Sequence, residues 1–335
     1  MSHELEIVNG KASMAYTGEL PWHGLGVKVD SNMSPKEMMQ AANLDWTVEK
    51  EDVFFQLNGQ MVPAPKKKAL IRTNDNAYLD IVSEDWIPVQ NEEAFEFFSE
   101  YVKNGDMTME TAGSLKDGRI IWGLARIGES FSLFNGKDEV TNYLLLSNPH
   151  QFGRGVDIRT TPIRVVCNNT ISMALQGKAA LGISLSHRKS FDVDKVKATL
   201  AEASQMLGNY REVAEFLSKK RYTQESLFEY FTKVFPKTSN AKGEVSFKEL
   251  MASFKSGDSK LASRNAINAM EVVETQAGAE FGKGTWWSAY NAVTYMTNHT
   301  MGHNPDTRMQ SLWFGGNKNR NIEAMGLALE YAEAA

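Results

Sequence analysis

The sequence predicts an α+β fold, with an antiparallel, hairpin-rich curved sheet in the N-terminal part and a helical C-terminal part. Two observations carry this. Over the first 190 residues, apolar and β-branched runs are separated by tight-turn words such as Asn58-Gly59, Asn74-Asp75-Asn76 and Lys116-Asp117-Gly118, which accept the backbone angles of short hairpins. After Phe191 the period changes. Val193, Val196, Leu200, Ala203, Leu207, Tyr210, Val213, Ala214 and Leu217 recur at three- and four-residue spacing, which makes one apolar face of a helix. The chain therefore divides into residues 1–190, mostly antiparallel strand with two helices and a basic strand-helix junction, and residues 191–335, a helical domain with a flexible linker near 236–243.

The elements follow in order. Leu20-Pro21-Trp22-His23-Gly24-Leu25-Gly26 reads as a loop pinned by Trp22, with His23 a structural histidine. Its two glycines do not make a phosphate cradle, because no third glycine, preceding strand or following helix accompanies them. Ser34-Pro35-Lys36-Glu37 supplies a capping box with proline at the first helical position, so a helix runs from about Pro35 to Asn43. Trp46 to Leu57, Asn58-Gly59 and Gln60 to Val62 make a β-hairpin, and Lys67 to Thr73 with Tyr78 to Val82 make a second. Lys66, Lys67 and Lys68 sit at its entrance, where they contact phosphate or keep a sheet edge soluble. Acids at Glu92 and Glu93 precede Phe95, Phe98, Tyr101 and Val102 at helical spacing, a core helix. Thr108 to Leu115 and Arg119 to Ile127 form a third hairpin, and further strands are expected around Asn135-Gly136, Asn142 to Leu146 and Ile183 to His187. A long helix then reaches Lys220, Thr223 caps the next one to Phe235, and helices follow at roughly 245–256, 259–276, 285–302 and 317–333.

At 335 residues and 42% hydrophobic content the chain can bury a large core. No apolar run approaches the ~20 residues of a spanning helix, and the first residues lack a signal pattern, so a cytoplasmic protein is expected. The single cysteine, Cys167, fits a reducing compartment. Formal net charge is -5, which argues against a strongly basic non-specific nucleic-acid binder. The distribution is uneven, however. Residues 1–110 hold nine Lys/Arg against nineteen Asp/Glu, whereas residues 151–190 hold Arg154, Arg159, Arg164, Lys178, Arg188 and Lys189 against the one acid Asp157. At the centre of this basic window, Thr161-Pro162-Ile163-Arg164-Val165-Val166-Cys167-Asn168-Asn169-Thr170 reads as a strand whose asparagines and threonine cap a following helix.

Several segments together resemble the phage/plasmid-like protein family known as domain of unknown function 932. They are Pro21-Trp22-His23-Gly24-Leu25-Gly26, Pro88-Val89-Gln90-Asn91 with Ala94-Phe95, and Glu110-Thr111-Ala112-Gly113-Ser114-Leu115. Further along come Tyr143-Leu144-Leu145-Leu146 with Ser147-Asn148-Pro149-His150, the window's central word, and Gly284-Thr285-Trp286 with Tyr290-Asn291-Ala292-Val293-Thr294 and His299. The family's usual glutamine in the Cys-x-Asn-Thr word is Asn168 in this chain. The family looks distantly similar to single-strand annealing proteins of the RecT, Redβ, Erf and Rad-fifty-two kind. That resemblance implies a curved antiparallel sheet with a long helix and a groove lined with cations.

Annealing needs no nucleophile; it needs cations to hold the phosphates of an extended strand while the base edges stay free. The expected activity is single-stranded DNA binding and annealing in phage or plasmid recombination, without hydrolysis, cofactor or membrane. The expected state is a homo-oligomeric ring or filament, with a phage exonuclease or a host single-strand binding protein as further partners. Arg154, Arg159, Arg164, Lys178, Arg188 and Lys189 are the nucleic-acid-binding candidates. Arg159 and Arg164 are five apart, so one extended strand points them to opposite faces unless Pro162 bends it. Phe152 and Phe191 either stack bases or belong to the core. The enzymatic alternative is a metal-dependent nucleic-acid-processing site from His299, His303 and Asp306, at helical spacing but without the glutamate of a zinc-protease word. Cys167 beside His150 or His187 reads as an inert core thiol before it reads as a nucleophile. A third class is a non-enzymatic host-interaction protein that uses the acidic first 110 residues.

Overall fold

The computed structural model describes residues 5–18, 25–128, 130–164, 169–170, 182–188, 208–237, 247–256, 261–302, 307–308, 311–312 and 315–335. The fold is α+β, with strands concentrated in the N-terminal part and helices in the C-terminal part. Two compact units divide it. The first comprises Met1–Gly128, Asn142–Thr160 and Leu181–Ser204, and the second Glu129–Thr141, Thr161–Ala180 and Gln205–Ala335.

The first unit begins with the short strands β1 (Ile7–Val8), β2 (Lys11–Ala12), β3 (Met14–Tyr16) and β4 (Val27–Lys28). Helix α1 (Pro35–Ala41) starts as its sequence requires: Ser34 Oγ accepts from the Glu37 amide, and the Glu37 carboxylate accepts the Ser34 amide at 2.8 Å. Strands β5 (Val48–Leu57), β6 (Gln60–Arg72) and β7 (Tyr78–Ser83) form one three-stranded antiparallel meander. The two expected hairpins thus share a strand. Lys66 takes a positive φ of 57°, and the register jumps from Asp52↔Lys68 to Phe54↔Pro63. A wide bulge at Ala64 to Lys67 therefore lets β6 continue along β5 on both sides of the jump. The Asn58-Gly59 turn has φ of 50° and 80°, both central residues left-handed as a tight hairpin demands.

Helix α2 (Asn91–Lys103) lays Phe95 and Phe98 on a sheet of β8 (Met107–Leu115), β9 (Ile120–Ile127) and the later part of β11 (Asp138–Pro149). Gly123 on β9 makes room: a Cβ there would lie 3.1 Å from the Phe95 ring. The sheet runs β14-β12-β11-β9-β8-β3-β4, with β12 (Val156–Arg164) and β14 (Gly182–Leu185) antiparallel and β3–β4 parallel.

In the second unit, β10 (Phe131–Leu133) pairs with the start of β11, and β13 (Asn169–Thr170) pairs back on Ile163 and Arg164. Asn169-Thr170 returns along β12 as a short strand, its backbone paired in that ladder. The helix expected to follow falls on residues beyond Thr170. Residues 171–181 lie outside the described set. The helices are α3 (208–219), α4 (Gln224–Val234), α5 (Phe247–Lys255), α6 (Arg264–Thr275), α7 (Trp286–Tyr295) and α8 (Gly316–Glu333), with a π-turn at Met296–Thr300. Thr223 caps α4 as expected. Their core holds Trp286, Trp287, Tyr230, Tyr290, Phe228 and Phe231, all essentially buried. Two of the polar ends are partnered, Tyr230 donating to the Ala324 carbonyl at 3.1 Å and Trp287 to Asp138 at 2.9 Å, while Trp286 Nε1 is buried without a hydrogen-bond partner. Among the described residues no helix is long and apolar enough to cross a membrane.

Candidate nucleic-acid interface

Of the six candidate cations, Arg154, Arg159 and Arg188 have described side chains. Only the backbone is described at Arg164, within β12, and Lys178 and Lys189 lie outside the described residues. On β12, residues two apart share a face, and Arg159 forks onto Asp157, Nε to Oδ1 at 2.5 Å and Nη2 to Oδ2, with its side chain 12% exposed. A phosphate reaching Arg159 would compete with a fixed, bidentate carboxylate.

Arg154 and Arg188 meet the surface differently. The register pairs Val156 with Leu185, so the chain entering β12 through Phe152, Gly153 and Arg154 lies at the same end of the sheet as the chain leaving β14 through His187 and Arg188. Gly155 enforces the approach: a Cβ there would stand 2.4 Å from the Leu185 carbonyl. The Phe152 amide donates to Asp80 at 2.8 Å while its ring is 63% exposed. Arg154 is half-buried and Arg188 exposed. An exposed ring two residues from Arg154, at the sheet end where Arg188 is exposed, suits a base and its flanking phosphates.

Beneath this patch lies an uncharged polar shelf. His187 is buried, its ring stacked 4.0 Å from Trp86 and its Nδ1 3.1 Å from the Ile87 carbonyl, while its own carbonyl accepts the Ile87 amide at 2.6 Å. His150, fully buried against Trp46, sits with Nε2 2.9 Å from Asn91 Oδ1. Asn91 spends its Nδ2 on the Leu44 and Trp46 carbonyls, so its oxygen is the acceptor and His150 Nε2 carries the proton. Burial pushes the His150 imidazole down to about 3, with His187 adding repulsion, and burial lowers His187 as well. Both are neutral near pH 7, which leaves the arginines as the cations of the patch. Asn148 ties the shelf to the loop before α2 by donating to the Val89 carbonyl at 2.8 Å. The words Val89-Gln90-Asn91 and Asn148-Pro149-His150, separate in sequence, are thus one hydrogen-bonded assembly.

A model of the family described as Domain of unknown function (DUF932) matches residues 78–322. The chain belongs to this family. No curated protein and no solved structure matches it. The DUF932 span contains the whole shelf except Leu44 and Trp46, together with Phe152, Arg154 and Arg188.

Of the metal-site candidates only His299 is among the described residues. His299 is exposed on the π-turn, its ring 4.7 Å from Tyr295, and His303 and Asp306 lie outside the described residues, as do Cys167, His23 and Phe191. Among the described residues no group of three or more His, Cys, Asp and Glu is placed to hold a metal. The shelf is not evident from the sequence, because buried histidines are recognised by partners from distant segments. The available signal was the pairing of asparagine and histidine in separate family words.

Proposed function

We propose that this protein binds single-stranded DNA without hydrolysing it and promotes annealing in phage or plasmid recombination, as a homo-oligomer in the bacterial cytoplasm. A phage exonuclease or a host single-strand binding protein would supply or protect its substrate. The observation that carries the reading is the juxtaposition of exposed Phe152 with Arg154 and Arg188 at the end of the β12–β14 pair. A stacking ring flanked by cations holds a strand by its backbone and one base face, which leaves base edges free for a complement. Arg159 plays a supporting part in this scheme, since Asp157 already neutralises it.

Fluorescence anisotropy with a labelled oligothymidine tests the proposal. The wild type is expected to bind at low salt. Phe152→Ala is expected to cost about 1–3 kcal/mol by loss of stacking, and Arg154→Ala with Arg188→Ala to weaken binding further, whereas Arg159→Ala changes it little. Absence of binding at low salt, or full binding by the triple variant at positions 152, 154 and 188, would refute the reading. A strand-annealing assay on the same variants separates binding from annealing.

A further inference from the structure

Beyond its bulge, the β5–β6 ribbon is apolar on both faces. The register places Phe54 with Pro63 and Gln56 with Met61 on one face, and Phe55 with Val62 and Leu57 with Gln60 on the other. Phe54, Phe55, Leu57 and Met61 are 50%, 46%, 53% and 66% exposed. A two-stranded ribbon has no layer of its own to cover such residues, and alone it is marginal in water. From Val53 to Pro65 the chain carries no charged residue.

The root of the ribbon says what covers it. Lys67 lies two residues from Ala69, the partner of Glu51, so Glu49, Glu51 and Lys67 share one face, and all three are exposed. Lys66 stands beside them on the bulge, also exposed. Lys68 is paired with Asp52 at 2.6 Å, and Lys50 donates to the Glu84 and Trp86 carbonyls. The lysines at 50 and 66–68 are matched by Glu49, Glu51, Asp52 and Glu84, so the root is neither the basic surface of a nucleic-acid site nor that of an anionic membrane site. An apolar centre with a rim of mixed charge is the composition of a protein interface. The rim is also self-complementary, with acids on β5 and free-standing lysines on β6 of the same ribbon.

We infer that this face of the β5–β6 arm docks a second copy of the chain, the two arms lying face to face about a two-fold axis that runs along them. Such an axis lays β5 of one copy over β6 of the other. Phe55 and Leu57 of the two tips then cover each other, and Glu49 and Glu51 of each copy meet Lys66 and Lys67 of its partner, twice over. The open edges stay apart: β6 carries Pro63 and Pro65, which cannot donate to a further strand, so stacking of faces is favoured over extension of the sheet on that side.

Sedimentation of the full chain tests this. The wild type is expected to be a dimer, and Phe55→Ser with Leu57→Ser, the two tip residues of β5 on the face of Glu49 and Glu51, to weaken dimerisation by about tenfold or more, as loss of central apolar anchors does. The pair Glu49→Lys and Glu51→Lys, and separately the pair Lys66→Glu and Lys67→Glu, are expected to weaken self-association. An equimolar mixture of these two variants restores a dimer, because each then offers the charge the other lacks. Circular dichroism verifies that the variants fold, which their exposure favours. A monomeric wild type, a dimer indifferent to the tip substitutions, or charge variants that fail to rescue each other would each overturn the inference. So would tip variants that lose DNA binding at unchanged mass, which would make the arm a DNA contact.

Discussion

His150 shows what one buried side chain commits the molecule to. Its Nε2 donates to Asn91, and its Nδ1 is buried without a hydrogen-bond partner, so a second proton would place an unmatched cation in the core. The folded state holds the imidazole at about 3 against 6.5 in the open chain. Below pH 6.5 the unfolded chain therefore binds the proton and the folded one does not, and stability falls as pH drops toward 3. The difference corresponds to on the order of 5 kcal/mol. Urea midpoints measured from pH 7 to 4 are expected to decline steeply, and His150→Gln to flatten that decline while lowering stability at pH 7. A wild-type midpoint that stays level to pH 4 contradicts a neutral, buried His150. Gly155 makes a parallel case. Gly155→Ala sets a methyl group 2.4 Å from the Leu185 carbonyl, so β12 and β14 must separate. Thermal melts should show a loss of about 1–3 kcal/mol, accompanied by weaker DNA binding.

Elements were legible wherever their cause is local. The Ser34 box, the Thr223 cap and the Asn58-Gly59 turn each contain their whole reason within four residues, and each stands where the sequence put it. Ser34→Ala removes the side chain that accepts the Glu37 amide and is expected to cost about 1 kcal/mol in chemical denaturation. Partner choice was not legible. That β6 serves both β5 and β7 across a bulge, and that Asn169-Thr170 returns along β12, depends on which neighbouring segments take the same backbone groups and on where a bulge lets a strand continue. The exposed arm was half legible: the turn announces the hairpin, but only the register reveals that Phe54 and Phe55 leave both faces apolar.

For the molecule as a whole, charge decides how any DNA contact behaves. A net -5 chain repels phosphate at long range, so binding must come from a local patch and fade quickly with salt. If Arg154 and Arg188 each neutralise a phosphate, replacing both by alanine lowers the slope of log affinity against log salt by about 1.4 for a single strand. An unchanged slope would place the phosphate contacts elsewhere. Counting cations in the sequence located this region but could not separate the paired Arg159 from the exposed Arg188, because that distinction is a matter of which side chain an acid reaches. The two compact units have a consequence of another kind. Neither is one continuous run, and the first draws its last segment from Leu181–Ser204. During synthesis, Met1–Gly128 leaves the ribosome well before the strands β12 and β14 that complete its sheet, so that sheet waits with an unfinished edge while the chain continues to emerge. The order in which the gene is read thus sets a period in which that edge is unpaired, one that the finished fold no longer displays.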